Sequence, residues 1–114
     1  MENKLQRVNA RIQNAAIKSG RSQNNITIVA VTKTFPPGIW ASALQHNLMT
    51  IGESRILETE LKNKKFSDRK KIELHFIGHL QGNKARKAIQ LFDVIQTIDS
   101  LKLAKRINIL SKQI

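Results

Sequence analysis

The stretch ITIVAVTKT at residues 26–34 decides the fold, because it is an apolar, β-branched run that ends abruptly at a lysine. Short runs rich in Val and Ile, bounded by polar residues, are typical of fully buried strands in a parallel sheet. Lys33 then lies where the strand opens into a loop, which is where α/β folds place their chemistry. A partly desolvated amine is favoured in its neutral form, which can attack a carbonyl carbon. Lys33 is therefore either a Schiff-base lysine or a solvated lysine at a strand exit.

Length and composition restrict the class of protein. A chain of 114 residues is long enough for one small domain and too short for two ordinary ones. With 40% apolar residues it is globular rather than disordered. The lack of cysteine excludes disulfides and zinc–thiolate sites and is compatible with a reducing cytosol. Residues 1–7 contain no apolar h-region and no apolar stretch reaches the length of a membrane span, so we expect a cytoplasmic protein without a membrane partner.

The formal net charge of +12 raises the question of nucleic-acid binding. The basic residues are spread along the chain from Lys4 to Lys112, and their densest cluster, at residues 62–71, falls in a predicted loop. With four Phe, one Trp and no Tyr, a stacking platform for bases is not expected. We therefore expect no nucleic-acid partner; a basic binding module stays an alternative that steeply salt-dependent binding would reveal.

Predicted helices and strands alternate along the chain. Residues 3–18 form an amphipathic helix, closed by Gly20 as a left-handed C-cap, and its apolar stripe is Leu5, Val8, Ile12, Ala15 and Ala16. Strands are predicted at residues 26–32, 49–51, 72–77 and 93–98. The helices between and after them are expected to open at Pro36-Pro37-Gly38, at Ser54 with Leu57 and Leu61 facing inward, at Asn83, and at Asp99 or Ser100.

Strand starts about 21–24 residues apart indicate a parallel sheet with helical crossovers. Two architectures fit this repeat: a doubly wound open sheet, or part of a (β/α)8 TIM barrel. Four βα units are half a barrel, since closure takes eight strands and about 250 residues. The last helix reaches the final residue without a capping pattern, so we expect residues 1–114 to form a single partial domain. Its uncovered sheet edges would favour aggregation or pairing with another chain.

Polar or glycine-containing segments follow the first three predicted strands, at residues 32–34, 52–54 and 78–84. In a barrel all three lie at the C-terminal face, where such folds build active sites. This common location strengthens the Schiff-base interpretation of Lys33, and the solvated alternative stays open.

Other kinds of site have weaker support. His75 and His79 are four residues apart but fall on a strand and its following loop, and no third ligand accompanies them, so we expect no metal site. His75 is instead a candidate ligand contact at the end of a strand. Gly78 and Gly82 fit neither a Walker A loop nor a dinucleotide fingerprint. No nucleophilic triad is available, and we assign no catalytic residue.

Four segments together resemble the pyridoxal-phosphate homeostasis protein family, whose barrel is similar to the alanine racemase N-terminal domain. They are IVAVTKT at 28–34, GES at 52–54, HFIGHLQGNK at 75–84 and IQTIDSL at 95–101. Their order and spacing match the family pattern, and the resemblance covers essentially the whole chain. The segment at 75–84 is highly specific. The chain is accordingly identified as similar to the N-terminal half of this family.

The resemblance implies that Lys33 carries pyridoxal 5'-phosphate as a Schiff base. It implies a role in binding, buffering and delivering the cofactor, with pyridoxal-phosphate-requiring apoenzymes as recipients, rather than turnover of an amino acid. Ser54 and His75 are further candidate cofactor contacts. Ser54 stands where the family usually has asparagine, and serine cannot supply the donor and acceptor of an amide together. We expect the full-length form to be a monomer.

The resemblance also implies that the phosphate is held by loops of the C-terminal half of the family's barrel. The N-terminal half alone would therefore bind the cofactor weakly. Two alternatives remain beside the binding role. One is a racemase-like enzyme in which Lys33 transfers a proton, which needs a second acid or base on the opposite face of the cofactor. The other is a truncated fragment without independent activity.

Overall fold

The computed structural model describes residues 2–114, and side chains from Asn3 onward. Its helices and strands alternate as the sequence predicts. In chain order they are α1 (Glu2–Ser19), β1 (Ala30–Val31), α2 (Ile39–Gln45), β2 (Thr50–Glu53), α3 (Ile56–Lys64), β3 (Glu73–Phe76), α4 (Ala85–Leu91), β4 (Val94–Ile95) and α5 (Leu101–Gln113). None of these helices is both long enough and apolar enough to span a bilayer.

The four strands form one parallel sheet in the order β1-β2-β3-β4. The register places Val31 opposite Gly52, Gly52 opposite His75, and His75 opposite Val94. Each pair of neighbouring strands is joined by a helical crossover, which is the repeating unit of a (β/α)8 barrel. The predicted α/β fold, a partial barrel of four βα units preceded by a helix, is confirmed.

The hydrophobic core lies between one face of the sheet and helices α2 to α5. Ile51, Leu74 and Phe76 point to this side and are at most 1% exposed. They pack with residues of the surrounding helices and loops: Trp40, Ala43, Leu80, Ala85, Ala88, Phe92, Leu103 and Leu110. The ring centroids of Phe76 and Phe92 are 5.1 Å apart in an edge-to-face arrangement, which adds to the stabilisation from buried area.

The expectation of a fully buried first strand at 26–32 was wrong. Strand β1 contains only Ala30 and Val31, and the side chain of Val31 is 49% exposed. Side chains alternate between the two faces of a strand. Val31 therefore shares its face with Glu73 and Gln96, which are also exposed, while the helices cover the opposite face. A run of apolar residues does not reveal that only one of its two faces is packed.

Two predicted apolar stripes are also largely exposed. Among the side chains of α1 from Asn3 onward, only Ala16 is buried, while Val8 is 43% exposed. In α3, Leu57 and Leu61 do not face inward and are 66% and 59% exposed. Thr59 and Lys62 occupy the buried side of α3 instead, so the inward face of this helix is set by polar contacts and not by its leucines.

The predicted caps have mixed outcomes. Gly20 has φ of 70°, and the N–H of Arg21 donates to the carbonyl oxygen of Ala16 at 2.9 Å, which confirms the left-handed C-cap. The hydroxyl of Ser100 accepts from the N–H of Leu103 at 3.1 Å, which confirms that cap. The caps assigned to Ser54 and Asn83 were wrong. Helix α3 starts after Arg55 and α4 after Lys84, neither with a side-chain cap in the described chain.

Gly78 allows a close approach between the segments that follow β2 and β3. A Cβ atom added at Gly78 would lie 2.9 Å from the Cα of Ser54 and closer still to its carbonyl oxygen. Both atoms belong to backbone and cannot move aside without shifting the chain. The hydroxyl of Thr97 also donates a short hydrogen bond to the carbonyl oxygen of Gly78. The Gly78 backbone is therefore held from both sides.

We expect Gly78→Ala to lower the free energy of unfolding by about 1–3 kcal/mol, since overpacking forces the backbone to shift. Urea titration followed by circular dichroism measures this change. Gly38→Ala is the control, because a Cβ atom at Gly38 meets nothing within 4 Å. Equal stability of the two variants would contradict the close packing at Gly78.

Candidate functional site

Lys33 lies in an exposed turn directly after β1. The N–H of Phe35 donates to the carbonyl oxygen of Thr32 at 3.2 Å and closes the turn. Thr34 has φ of 70°, in the left-handed region that β-branched residues rarely adopt. Such a conformation costs about 1–3 kcal/mol and persists only where surrounding contacts hold it.

Two side chains of α3 hold the backbone on either side of Lys33. The ammonium of Lys62 donates to the carbonyl oxygen of Thr32 at 2.7 Å. The carboxylate of Glu58 accepts from the N–H of Thr34 at 2.6 Å. Lys62 and Glu58 are themselves paired at 3.0 Å. These contacts explain how the strained turn is maintained.

Lys62 also forms a buried ion pair with Glu53, the last residue of β2. The distance from Nζ of Lys62 to Oε2 of Glu53 is 2.7 Å, and the side chains are 2% and 0% exposed. Oε2 also accepts from the hydroxyl of Thr32 at 2.6 Å and from the indole N–H of Trp40 at 3.0 Å. Buried charges are tolerated when they are paired and hydrogen-bonded, and this one is. The other oxygen, Oε1, is buried without a partner among the described residues.

The ionisation of Glu58 is coupled to the turn. Partial burial opposes the charged carboxylate, but the hydrogen bonds from Lys62 and from the N–H of Thr34, with the charges of Lys62 and Arg55, outweigh it. The pKa of Glu58 therefore lies below its ordinary value. The charged form is the one that the folded chain stabilises.

Ser54 and His75, the other predicted site residues, lie on neighbouring strands. Ser54 directly follows β2, and His75 lies within β3 opposite Gly52. Nε2 of His75 is 2.6 Å from the carboxylate of Glu73, and Nδ1 is 2.8 Å from the side-chain amide of Gln96. Since Lys33 follows Val31 by two residues, it lies about 7 Å beyond the level of His75 along the sheet. Lys33 and Ser54 thus share the C-terminal edge, with His75 one step inside it.

His79 does not join His75 in a shared site. It lies in the loop after β3, exposed, with Nδ1 3.3 Å from the carboxylate of Asp99. Within residues 2–114, no group of three or more histidines and carboxylates is arranged to hold a metal ion.

The network of Glu53, Glu58, Lys62 and Trp40 is not predicted from the sequence. Glu53 was expected in the segment that follows the second strand, whereas β2 extends through this residue and turns its side chain toward the helices. Glu58 and Lys62 are four residues apart on a helix, a spacing typical of ion pairs, and this was the available sequence pattern. The pairing of Lys62 with Glu53 depends on the packing of α3 against β2, which local spacing does not show.

We expect Lys62→Met to lower the free energy of unfolding by about 3–5 kcal/mol, because it leaves the carboxylate of Glu53 buried without its counter-ion. Urea denaturation measures this loss. The matched control is Lys64→Met, an exposed lysine on the same helix, with an expected change within about 0.5 kcal/mol. Combining Lys62→Met with Glu53→Gln should recover part of the loss. Additive losses in the double variant would contradict the pairing.

The lowered pKa of Glu58 predicts acid sensitivity. Its stabilising contribution is fully present above the ordinary glutamate value of about 4.3 and is lost as the pH falls through the lower folded-state pKa. The difference in unfolding free energy between the unmodified chain and Glu58→Gln should therefore shrink from pH 7 to pH 3. A difference that stays constant over this range would exclude the proposed coupling.

Comparison with curated proteins shows a consistent group of relatives, although no family model matches the chain. The pyridoxal phosphate homeostasis protein of Escherichia coli K12 is 39% identical over 106 residues, covering 91% of this chain and 45% of the relative. The protein of the same name from Bos taurus is 35% identical over 111 residues, covering 91% of this chain and 41% of the relative.

Solved structures agree with these sequence matches. PipY of Synechococcus elongatus PCC7942, in its structure with PLP bound, superposes with a TM-score of 0.74 at 30% identity. That match covers 89% of this chain and 47% of PipY. A protein of unknown function from Bifidobacterium adolescentis superposes with a TM-score of 0.85 at 29% identity, covering 98% of this chain and 50% of the other.

The chain spans about half the length of the curated relatives it matches. The partial match fits their N-terminal half, as the sequence motifs predict. This chain is therefore a relative of the pyridoxal phosphate homeostasis proteins.

Proposed function

We propose that this chain binds pyridoxal 5'-phosphate through Lys33 and that the whole protein serves homeostasis of this cofactor. The observation that carries the proposal is the exposed amine of Lys33 at the C-terminal edge of the sheet. The fold that presents it is shared with PipY, whose structure holds PLP. Barrel folds place their sites at this edge.

The residues of this edge fit the cofactor. In the part of the chain that the structure describes, the amine of Lys33 makes no hydrogen bond or ion pair, so it is free to react. Ser54 offers a hydroxyl on the neighbouring strand end. Both ring nitrogens of His75 are engaged by Glu73 and Gln96, which leaves the face of the ring for contact. The net charge of +12 also favours an anionic phosphate compound.

The cofactor supplies an aldehyde when bound. The neutral Nζ of Lys33 adds to the aldehyde carbon, and loss of one water leaves a C=N bond, the Schiff base. This bond is reversible by hydrolysis, so a protein that holds the aldehyde in this way can store it and release it. Storage and release are the chemistry that a homeostasis role requires, and apoenzymes that need the cofactor are the proposed recipients.

We expect the chain mixed with pyridoxal 5'-phosphate to show the visible absorption of a Schiff base, and borohydride to fix the cofactor on Lys33. In Lys33→Ala this absorption and the labelled peptide should disappear, because no other lysine occupies this turn. Absorption spectra and peptide mass mapping give the two measurements. Lys64→Ala, which removes an exposed lysine of α3, should leave both unchanged. An unchanged spectrum in Lys33→Ala would refute the assignment.

A further inference from the structure

We propose that Glu58 and Lys62 are positioning residues for Lys33, holding the turn so that its amine meets the cofactor in one place. This inference rests on the proposed binding of pyridoxal 5'-phosphate. Neither residue touches the amine of Lys33. Each binds the backbone of a sequence neighbour of Lys33: Lys62 binds Thr32, and Glu58 binds Thr34. We call this pair of contacts the α3 clamp.

The clamp acts on both ends of the peptide segment that carries Lys33. Lys62 donates to the carbonyl oxygen of Thr32 at 2.7 Å, and Glu58 accepts from the N–H of Thr34 at 2.6 Å. Both are charge-assisted hydrogen bonds, which are shorter and stronger than bonds between neutral groups. The backbone atoms that determine the direction of the Lys33 side chain are therefore restrained from both sides.

The conformation that the clamp maintains is unfavourable without it. Thr34 has φ of 70°, which a β-branched residue avoids. The side chains of Lys33, Thr34 and Phe35 are exposed, so the turn after Thr32 is not held by side-chain packing. Loss of the hydrogen bond from Thr34 to Glu58 would let residue 34 relax to negative φ and would redirect the preceding lysine.

The clamp is itself rigid because it is anchored in the core. Lys62 is 2% exposed and Glu53 is 0% exposed, and an ammonium buried to this extent cannot leave its carboxylate at low cost. Trp40 and Thr32 donate to the same carboxylate oxygen, which ties the clamp to α2 and to the residue that follows β1. A reactive group is positioned well when the residues that support it are locked by packing and hydrogen bonds.

The test compares Glu58→Ala, Glu58→Gln and Lys62→Met with the matched variants Glu60→Gln and Lys64→Met on the same helix. The first measurement needs no cofactor: amide hydrogen exchange at Thr34, at a temperature where each variant is folded. We expect exchange at least tenfold faster in Glu58→Ala and an intermediate rate in Glu58→Gln, whose amide oxygen can still accept. The two matched variants should keep the original rate.

The second measurement is the rate at which pyridoxal 5'-phosphate and borohydride label Lys33, compared with labelling by formaldehyde and cyanoborohydride. Formaldehyde reports only whether an amine is accessible and reactive. We expect Lys33 labelling by pyridoxal 5'-phosphate to fall several-fold in Glu58→Ala and Lys62→Met, with formaldehyde labelling unchanged. A merely destabilising substitution would alter the labelling of other lysines as well.

The outcomes separate the clamp from the proposed function. If the unmodified chain is not labelled at Lys33 by pyridoxal 5'-phosphate, the proposed function fails, and Thr34 exchange still decides whether α3 holds the turn. If Lys33 is labelled at the same rate in Glu58→Ala as in the unmodified chain, the positioning role is overturned and the binding proposal stands. If Lys62→Met does not fold, the decision rests on Glu58→Ala, since Glu58 is partly exposed and its removal leaves the buried ion pair in place.

Discussion

The ion pair between Glu53 and Lys62 is the contact on which the rest of the structure depends. Its carboxylate oxygen receives hydrogen bonds from Thr32, the residue after β1, and from Trp40 of α2, and its ammonium comes from α3. One buried charge pair of β2 and α3 is therefore bonded to α2 and to the end of β1. Removing these charges from water costs free energy. The ion pair and its hydrogen bonds offset that cost only when every donor to the carboxylate is in place. The pair therefore specifies one packing of α3 against the sheet, in which Thr59 and Lys62 face inward and Leu57 and Leu61 face solvent.

This constraint also connects the core to the candidate site. Lys62 uses one of its protons on Glu53 and another on the carbonyl oxygen of Thr32, one residue before Lys33. The exposed turn is thus attached, through Lys62, to the fully buried carboxylate of Glu53. A lysine at the surface can keep a defined position without being buried, because its neighbours in sequence are anchored. In the proposed site, Lys33 supplies the reactive amine, and Glu58 and Lys62 position it.

The sheet is packed on one side, and this explains why the first strand is more exposed than its sequence predicts. The sequence of β1 is apolar throughout, yet Ala30 is only partly buried and Val31 is half exposed. Gly52 and Gly78 permit close contacts with neighbouring side chains and backbone. Helices α2, α4 and α5 bury apolar residues against the sheet: Trp40 and Ala43, Ala85 and Ala88, and Leu103 and Leu110.

The sequence by itself determined the α/β class, the order of the helices and strands, the C-cap at Gly20, the turn that carries Lys33 and the resemblance to pyridoxal phosphate homeostasis proteins. These depend on local periodicity, on capping residues and on short motifs, all of which involve residues close together in the sequence. Only the tertiary structure decided which face of α3 is buried, that Glu53 belongs to β2, and that Glu58 and Lys62 hold the backbone around Lys33. Those features depend on contacts between residues 9 to 30 positions apart in the sequence, and such contacts form only when the helices and strands pack together.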